Sequence, residues 1–282
     1  MLSYRHAFHA GNHADILKHA VISLLIDQLK QKDKPFCYLD THSGGGCYDL
    51  TGEWANKKAE YLDGIARLWP LREQWPALKS YLDCVAALNN GDALHYYPGS
   101  PEIARAQLRE QDRLILMELH NNEIDILRQH MHRDPRVALH HRDGFEGFVA
   151  LTPPSPRRGL VLIDPPYELK EDYDRVVKSL TKAWRRWPVG MYAVWYPLRG
   201  KEADRSQHML DECQKLGIPM LTAELSVQAQ SPTWGMHGSG MAIFNPPWQF
   251  EQQLQKLLPE LCALLAMTPQ ANWEIKSHNS EG

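Results

Sequence analysis

The residues best suited to chemistry are Asp164, Pro165, Pro166 and Tyr167, which directly follow a glycine and four large aliphatic residues. That run, residues 159–163, indicates a strand buried on both faces, as at the centre of a parallel sheet. Neither proline can donate an amide hydrogen to a neighbouring strand, so the strand must end before them. Asp164 is therefore expected at the carboxyl end of a central strand, where open α/β sheets bind their ligands.

This tetrapeptide could hold a planar amino group. The Asp164 carboxylate and the Pro165 carbonyl can each accept one hydrogen from such a group, and the fixed φ of proline restrains that carbonyl. Tyr167 offers a flat surface on which a nucleobase could stack, typically worth about 1–3 kcal/mol. A buried carboxylate after a strand can instead serve only as a helix cap. The combination favours an exocyclic amine held for attack.

A glycine-rich loop provides a second candidate ligand site, after the strand predicted for residues 35–40. Gly44, Gly45 and Gly46 permit a tight turn and a close approach of the backbone to a ligand. Asp49 stands where a dinucleotide-binding fingerprint has its third glycine, and no acid ends a strand about 20 residues later. A dinucleotide site is therefore disfavoured.

Acidic residues follow two further predicted strands. Glu118 ends the strand predicted for residues 114–118, and a carboxylate there can accept both hydroxyls of a ribose. Asp143 and Gly144 follow the strand predicted for residues 137–141. These acids are expected at the same edge of the sheet as the glycine-rich loop.

A helix start supplies another polar candidate. Ser100 and Pro101 form a good cap and first-turn pair for a helix predicted over residues 102–109. Because helix amino-termini favour anionic ligands, Ser100 is expected to face the same pocket.

The chain begins with a polar arm rich in histidine and aromatic residues, and a helix follows it. Asn12 is a suitable cap, and the apolar spacing predicts a helix to about Lys32. Four histidines cluster in this region: His6, His9, His13 and His19. They lack cysteine or carboxylate partners at ligand spacing, so a polar pocket lining is favoured and no metal site is predicted. The arm is expected to fold over the pocket as a lid rather than to remain a free terminus.

Composition and charge favour a cytoplasmic protein without membrane segments. The 282 residues carry a formal net charge of −3, which excludes a strongly basic coat for nucleic acid. Five cysteines without a C-x-x-C pair indicate reduced thiols rather than disulfides or a zinc site. The amino terminus lacks the apolar core of a signal peptide, and the longest apolar runs are too short to span a membrane.

The order of predicted elements indicates one Rossmann-like α/β domain over residues 1–282. Seven strands are predicted, at residues 35–40, 114–118, 137–141, 159–163, 190–195, 220–227 and 240–244. Further helices are predicted at about residues 172–187, 201–216 and 250–265. This alternation favours a mostly parallel seven-stranded sheet flanked by helices.

Two segments depart from that alternation. Residues 51–95 contain two amphipathic stretches, more than one crossover needs, and are predicted to be a helical insertion within the domain. The insertion is interpreted either as a substrate platform or as a stabilising cap. The tail from Thr268 lacks periodicity and is expected to be frayed.

The complete pattern resembles a known family. An acid with a glycine-rich loop, acids after strands two and three, and Asp-Pro-Pro-Tyr after strand four resemble the S-adenosylmethionine-dependent adenine-N6 methyltransferases. Residues 4–15, 39–42, 97–101 and 162–168 resemble, more specifically, the bacterial 23S rRNA adenine-N6 methyltransferase J family. The likeness covers nearly the whole chain. One departure is the loop at residues 43–47, where the family has Ala-Gly-Ala-Gly-Arg; the arginine is lost but the glycines remain.

The resemblance implies S-adenosylmethionine as cofactor and assigns site residues. The implied cofactor contacts are His19, His42, Gly44, Gly46, Ser100, Glu118, Asp143, Gly144 and Asp164. Tyr4, His6 and Lys18 are implied to lie beside the target adenine. The predicted catalytic residues are Asp164, Pro165 and Tyr167. The implied partner is 23S rRNA, free or in early assembly, and the protein is expected to be a monomer.

The chemistry of the motif agrees with this function. The N6 amine of adenine is a poor nucleophile because its lone pair is delocalised into the ring. Hydrogen bonds to Asp164 and to the Pro165 carbonyl would favour a pyramidal nitrogen, so in-line transfer is catalysed mostly by positioning. Asp164 can then accept the proton of the methylated nitrogen. The target base must leave its stack to reach the site.

Alternatives for the function and for the site stay open. DNA adenine methylation, or a role in the use of external DNA, would use the same motif, although no recognition helix is evident. The second alternative is a non-catalytic RNA-binding protein of the same fold. The presence of Asp164 and Glu118 disfavours it. Residues 245–248, Asn-Pro-Pro-Trp, also match the motif. They follow the last predicted strand and are interpreted as an edge-strand terminator.

Overall fold

An eight-stranded sheet forms the centre of the computed structural model, which describes residues 6–233 and 235–278. The strands are β1 (Cys37–Asp40), β2 (Cys47–Asp49), β3 (Tyr96–Pro98), β4 (Arg113–Glu118), β5 (Val137–His141), β6 (Gly159–Ile163), β7 (Met191–Arg199), β8 (Met220–Ser226), β9 (Met236–Phe244) and β10 (Asn272–His278). The large sheet has the order β10-β8-β9-β7-β6-β1-β4-β5, whereas β2 pairs with β3. Strands β7, β6, β1, β4 and β5 are parallel to one another. Strand β9 is antiparallel to β7 and β8, and β10 is antiparallel to β8.

The central strands lie where their aliphatic sequences predict. All residues of β6 and β1 are buried. Because β1 pairs with both β4 and β6, the carboxyl ends of these three strands lie side by side. This register brings Asp40, Glu118 and Asp164 to one edge of the sheet, as expected for a ligand site of an α/β fold.

Helices cover both faces of the sheet. They are α1 (His13–Lys30), α2 (Glu53–Lys58), α3 (Ile65–Leu68), α4 (Lys79–Ala87), α5 (Ser100–Gln107), α6 (Asn121–Met131), α7 (Gly144–Leu151), α8 (Glu171–Arg186), α9 (Ser206–Gln214) and α10 (Phe250–Leu265). Short 3-10 helices lie at His6–Phe8, Glu60–Asp63, Trp69–Gln74 and Pro76–Leu78. One apolar cluster joins α1, α4, α5 and α10 to one face, and a second joins α7, α8 and α9 to the other. Within residues 6–233 and 235–278, no helix is both long and apolar enough to cross a membrane.

Helix α1 begins where the sequence predicts. The side-chain oxygen of Asn12 accepts the backbone amides of Ala14 and Asp15, each at 3.0 Å. These two bonds satisfy amides that have no partner within the helix, so Asn12 fixes the start of α1. The same residue is the point at which the amino-terminal arm joins the body of the protein.

The segment between β2 and β3 is largely helical. Tyr81, Leu82 and Val85 of α4 are buried, and α4 packs against α1 and α5. The two ends of the segment are joined because Tyr48 of β2 pairs with Tyr97 of β3. The predicted helical character of residues 51–95 is confirmed, whereas their description as an insertion within one domain stays a prediction.

The carboxyl-terminal segment corrects the sequence analysis. Residues Asn272–His278 form β10, which pairs with β8, so the prediction of a frayed tail and of seven strands was wrong. Most side chains of β10 are exposed at the edge of the sheet, so no apolar alternation marks the strand. Backbone hydrogen bonds hold it instead, and these need no particular side chains.

Two element boundaries also differ from the sequence prediction. Strand β7 continues past residue 195 to Arg199 because β9 pairs with it over that length. Helix α9 begins at Ser206 rather than near residue 201. Just before the helix, Asp204 Oδ1 accepts the backbone amide of Ser206, the first helical residue, at 2.7 Å.

Candidate active site

A cleft of about 650 Å³ opens at the carboxyl ends of the central parallel strands. The predicted site residues that line it are His6, Lys18, His42, Gly44, Ser100, Glu118, Asp143, Gly144, Asp164, Pro165 and Tyr167. These residues come from distant parts of the chain; Lys18 and Asp164, which touch, are 146 positions apart. The fold therefore assembles one site from motifs that the sequence presents separately.

The carboxylate of Asp164 is bound to an ammonium group. Lys18 Nζ lies 2.7 Å from Asp164 Oδ2 and 2.9 Å from Asp15 Oδ1. The side chain of Lys18 is 5% exposed, that of Asp15 2% and that of Asp164 14%. Charges this deeply buried require partners, so Lys18 fixes the positions of both carboxylates. Because Lys18 binds Oδ2, Asp164 Oδ1 remains to accept a hydrogen from a ligand.

Asp15 extends this network to the amino-terminal arm. Its Oδ2 accepts the backbone amide of Gly11 at 2.9 Å and lies 2.9 Å from His6 Nε2. Burial raises the pKa of Asp15, but the charges of His6, Lys18 and His19 outweigh burial and hold the pKa well below its usual value. Asp15 is therefore an ionised carboxylate that connects His6 to Lys18.

Glu118 holds two loops together at the end of β4. Its Oε2 accepts the backbone amide of Gly44 at 2.8 Å, and its Oε1 accepts that of His120 at 2.7 Å. Gly44 has a φ of +60°, and a Cβ there would lie 2.4 Å from the Tyr48 hydroxyl, so only glycine fits. A carboxylate has about four lone-pair sites, so Glu118 can still accept hydroxyl groups of a ligand.

Asp143 caps α7 and pairs with an arginine from α8. Arg175 Nη2 lies 2.6 Å from Asp143 Oδ2, and its guanidinium lies 4.2 Å from the centroid of the Phe145 ring. Burial raises the pKa of Asp143, but the bond and charge of Arg175, together with the Glu146 amide, outweigh burial and lower the pKa. A Cβ at Gly144 would lie 1.9 Å from the carbonyl oxygen of Thr41, so the two loops touch through their backbones.

Burial shifts two further titratable groups at this edge of the sheet. Asp40 Oδ2 accepts the Ser100 hydroxyl at 2.6 Å, and burial raises the pKa of Asp40 to about 7. Burial lowers the pKa of His42 to about 4, and its Nδ1 lies 2.7 Å from Thr41 Oγ1. His42 therefore presents a neutral ring to the cleft at neutral pH. The Ser100 hydroxyl donates to Asp40 and keeps its lone pairs to accept from a ligand.

Tyr167 stands at the cleft wall in an unusual backbone conformation. Its φ of +50° turns the chain sharply after the two prolines. The residue is 3% exposed, its hydroxyl donates to the Trp195 carbonyl at 2.7 Å, and its ring lies 4.5 Å from that of Tyr173. Little of the ring face is accessible in this conformation. Base stacking on Tyr167 stays a prediction.

Two predicted cofactor residues do not line the cleft, and one predicted residue is outside the structure. His19 is 0% exposed, and its Nδ1 lies 2.7 Å from the Tyr97 hydroxyl. The carbonyl of Gly46 accepts the amide of Gly99 at 2.9 Å. In this structure His19 and Gly46 contact neighbouring segments. Their roles in cofactor binding stay predictions. Tyr4 lies outside the described residues.

The second Pro-Pro motif, residues 245–248, lies at the opposite end of the strands from Asp164. It follows β9, which runs antiparallel to β7, so Phe244 pairs with Tyr192 near the start of β7. The side-chain amide of Asn245 donates to the carbonyls of Pro188 and Gly190, each at 2.8 Å. The predicted role as a strand terminator is confirmed, but β9 lies between β7 and β8 and is not an edge strand.

Sequence reasoning did not single out three residues that also line the cleft: Asp15, Arg175 and Trp195. Asp15 precedes Lys18 by three positions on a helix, a spacing at which side chains meet, so it could have been found. Nothing in the sequence links Arg175 to its partner Asp143, which caps another helix. Trp195 lies within β7, and Lys18 Nζ is 5.7 Å from its ring centroid. Only the fold brings that pair together.

The described residues include potential metal ligands, but these side chains are not grouped as a metal site. Within the two described ranges, no group of three or more His, Cys, Asp or Glu is placed to hold a metal ion. The cysteines are free, and burial raises the pKa of Cys37 and of Cys213 to about 12. These two side chains are therefore neutral thiols rather than metal-binding thiolates.

Known proteins resemble this chain over most of its length. The family described as ribosomal RNA large subunit methyltransferase D, RlmJ, matches residues 33–277. The chain is 48% identical over 262 residues to ribosomal RNA large subunit methyltransferase J of Escherichia coli, which covers 93% of each chain. It is 44% identical over 278 residues to the protein of the same name from Haemophilus influenzae, which covers 98% of each chain.

The fold has a solved counterpart. The crystal structure of a protein from Legionella pneumophila superimposes with a TM-score of 0.89 at 36% identity, covering 96% of this chain and 98% of that one. The mixed sheet with helices on both faces is an α/β methyltransferase-like fold. The length of the family match and the identity to both named relatives lead to one assignment. The chain belongs to the ribosomal RNA large subunit methyltransferase J family of enzymes.

Proposed function

We propose that this enzyme methylates the N6 amine of an adenine in 23S rRNA and uses S-adenosylmethionine as methyl donor. Two relatives bear the name ribosomal RNA large subunit methyltransferase J. The observation that carries the chemistry is one cleft in which Asp164 and Pro165 stand together with Glu118 and Asp143. The first pair suits a planar amine, and the second suits a nucleoside cofactor.

The cleft fits a nucleoside cofactor by size and by chemistry. Its volume of about 650 Å³ lies within the usual range for small-molecule sites. Glu118 ends β4, the position from which a carboxylate binds ribose hydroxyls in Rossmann-like sheets. Asp143, Gly144 and Phe145 would hold the base, with an acceptor, a close backbone and an aromatic wall. When bound, S-adenosylmethionine supplies an electrophilic methyl group.

Asp164 and Pro165 position the nucleophile. The free oxygen of Asp164 and the Pro165 carbonyl would each accept one hydrogen of the adenine amine. Two such bonds favour a pyramidal nitrogen and direct its lone pair. Lys18 keeps the carboxylate in place through the other oxygen, so the orientation is set before the substrate arrives.

The Asp164 carboxylate also accepts the proton that the amine nitrogen loses. The nitrogen becomes cationic when it is alkylated, and its proton is then acidic enough for an ordinary carboxylate to take it. Asp164 is within reach because it already holds the amine. Lys18 lies between Asp164 and Asp15 and offsets the negative charge of both acids.

The partner and the state of the protein belong to this proposal. The net charge of −3 leaves the RNA to be bound by local patches around the cleft rather than by a general basic coat. We propose 23S rRNA, free or in early assembly, as the substrate of a cytoplasmic monomer. Light scattering on the purified protein would show a mass near 32.4 kDa for a monomer and about twice that for a dimer.

The decisive experiment compares substrates. Labelled S-adenosylmethionine is incubated with the enzyme and naked 23S rRNA, assembled ribosomes or duplex DNA, and the product nucleoside is identified. We expect N6-methyladenosine in naked 23S rRNA and no label in any substrate with Asp164→Ala. Preferential labelling of DNA would support a DNA methyltransferase. Tight RNA binding without labelling of any substrate would support a non-catalytic RNA-binding protein.

A further inference from the structure

The helical segment between β2 and β3 holds the amino-terminal arm, defined here as residues 6–12. Glu60 Oε2 lies 2.8 Å from His9 Nδ1 and accepts the side-chain amide of Asn12 at 2.9 Å. Burial raises the pKa of Glu60, but the bonds from His9 and Asn12, together with nearby positive charge, outweigh burial and lower the pKa. One carboxylate of this segment therefore binds the arm at two points three residues apart.

A backbone contact lies beside these bonds. The amide of Ile65 donates to the carbonyl of Gly11 at 2.8 Å. A Cβ at Gly64 would lie 2.0 Å from that carbonyl oxygen. Gly11 itself has a φ of +76°, and a Cβ there would lie 2.8 Å from Ile65 Cγ2. The arm and the helical segment thus meet through two glycines, at a distance that side chains would prevent.

Aromatic contacts hold the other end of the arm. The ring of Phe8 meets that of Trp54 edge-on, with centroids 5.1 Å apart and an angle of 81°. Lys57 Nζ lies 5.9 Å from the Phe8 ring centroid. Both partners belong to α2, so the helical segment contacts the arm from Phe8 to Asn12.

The opposite side of the arm touches the reaction centre. His6 Nε2 lies 2.9 Å from Asp15 Oδ2, and the other oxygen of Asp15 lies 2.9 Å from Lys18 Nζ. Lys18 in turn binds Asp164. A continuous path of polar contacts therefore leads from Glu60 through the arm to the carboxylate that would hold the adenine amine.

The arm contributes two small side chains to the apolar core, the buried Ala10 and the partly buried Ala7 that packs against the core. No residue of the 3-10 helix His6–Phe8 is buried, so the hydrophobic effect stabilises its position only weakly. Directional hydrogen bonds from Glu60 specify where the arm lies, whereas apolar packing would mainly add stability. Such bonds are therefore suited to positioning His6.

We propose that the segment between β2 and β3 serves as a clasp and that Glu60 is a positioning residue for the methyl transfer. Glu60 holds the arm so that His6 and Asp15 keep Lys18 on Asp164. This role differs both from a substrate platform and from a stabilising cap. It rests on the proposed methyltransferase activity, and one of its tests does not depend on that activity.

The test is a cycle of Glu60→Ala and His6→Ala. Loss of a hydrogen-bonded charge in this position should lower kcat/KM for 23S rRNA about tenfold or more. Because the effect passes through the arm, Glu60→Ala should add little in the His6→Ala background. Glu60→Gln, which keeps one acceptor oxygen, should recover part of the loss. Glu53→Ala is the matched control, since Glu53 is an exposed carboxylate in the same segment.

A second measurement is independent of turnover. Amide hydrogen exchange in residues 6–12 should accelerate in Glu60→Ala and stay unchanged in Glu53→Ala, with unchanged cofactor affinity by calorimetry. Unchanged exchange, or equal effects of Glu60→Ala with and without His6, would overturn the clasp. In the second case Glu60 would act by touching the RNA. A wild-type enzyme that methylates no RNA would refute the proposed function, while the exchange result would still decide whether the clasp exists.

Discussion

The two Pro-Pro motifs have almost the same sequence pattern and opposite roles. Asp164-Pro165-Pro166-Tyr167 follows the parallel strand β6, and Asn245-Pro246-Pro247-Trp248 follows the antiparallel strand β9. Each has a residue with positive φ, Tyr167 at +50° and Asn245 at +55°. Asp164 lines the cleft, whereas the amide of Asn245 is occupied by two backbone carbonyls.

Strand direction explains the difference. Parallel strands bring their carboxyl ends to one edge, so Asp164 meets Glu118, Asp143 and the loop after β1. β9 runs antiparallel to β7, so its carboxyl end lies beside the start of β7, at the opposite end of the strands from Asp164. There Asn245 closes a loop, and Trp248 is 85% exposed. A motif of this kind is therefore an active-site candidate only at the edge where the ends of parallel strands meet.

The largest expected difference between the motifs is catalytic. Asp164→Ala should lower kcat on 23S rRNA by about 10²–10⁴-fold or more, because it removes both an amine acceptor and a proton acceptor. Asn245→Ala should leave kcat unchanged and lower the free energy of unfolding by about 1–3 kcal/mol, because two hydrogen bonds are lost. Single-turnover kinetics and urea denaturation of both variants measure these effects. A reversed pattern of activity would show that the wrong motif has been assigned to the reaction.

The next effect tests whether the cleft edge binds the cofactor. Glu118→Ala should weaken S-adenosylmethionine binding about tenfold to a hundredfold, because hydrogen bonds to a charged group are lost. Glu274→Ala, in which a half-exposed carboxylate on β10 is removed, should leave the affinity unchanged. Isothermal calorimetry measures both. Equal affinities for wild type and Glu118→Ala would remove Glu118 from the cofactor site.

A third expected effect is on the pH dependence of the free energy of unfolding, to which Asp40 contributes and residues 245–248 do not. The pKa of Asp40 is raised from 3.8 to about 7, so between these pH values the folded state binds more protons than the unfolded state. Asp40 therefore stabilises the fold at low pH, and this contribution is lost as the pH rises through about 7. His13 and His42 act oppositely, since burial lowers the pKa of each to about 4.

Comparison with Asp40→Asn isolates the acid from these histidines. The unfolding free energy of Asp40→Asn relative to wild type should rise between about pH 4 and pH 7, by up to a few kcal/mol. The same difference for Asn245→Ala should not vary with pH, because residues 245–248 include no titratable side chain. Urea denaturation across this pH range gives both curves. A flat curve for Asp40→Asn would mean that Asp40 titrates normally in the folded protein.

The smallest effect concerns the aromatic residue that ends each motif. Tyr167→Phe removes the hydroxyl bond to the Trp195 carbonyl and should cost about 1 kcal/mol of stability, while most activity is retained. Trp248→Ala should change stability by less than about 0.5 kcal/mol, because Trp248 is exposed. Thermal denaturation of the two variants compares them. A larger loss for Trp248→Ala would indicate that this ring packs against the protein.

Much of the fold could be predicted because its central elements have local signatures. The aliphatic run of β6 and the Asn12 cap of α1 both lie where the sequence places them. Strand β10 could not be predicted, because its exposed side chains carry no periodicity and only pairing with β8 makes it a strand. The start of α9 was also missed, because Asp204, whose side chain accepts the amide of the first helical residue, lies inside the stretch that the sequence assigned to the helix.

The sequence by itself determined which residues could do chemistry. The acid-Pro-Pro-aromatic motif, the glycine-rich loop and the acid that ends β4 each follow a recognisable strand, and most of the predicted residues line one cleft. These signals are local, since they depend on residue type and on the end of a buried strand.

Only the tertiary structure decided how those residues are held and which of them line the cleft. The contact of Lys18 with Asp164, and that of Arg175 with Asp143, join helices and loops that no spacing rule connects. The burial of His19 and the opposite placement of Asn245 also follow from packing and strand direction. The physical reason is that burial and charge pairing depend on neighbours from distant parts of the chain, and only the packing of the whole chain determines those neighbours.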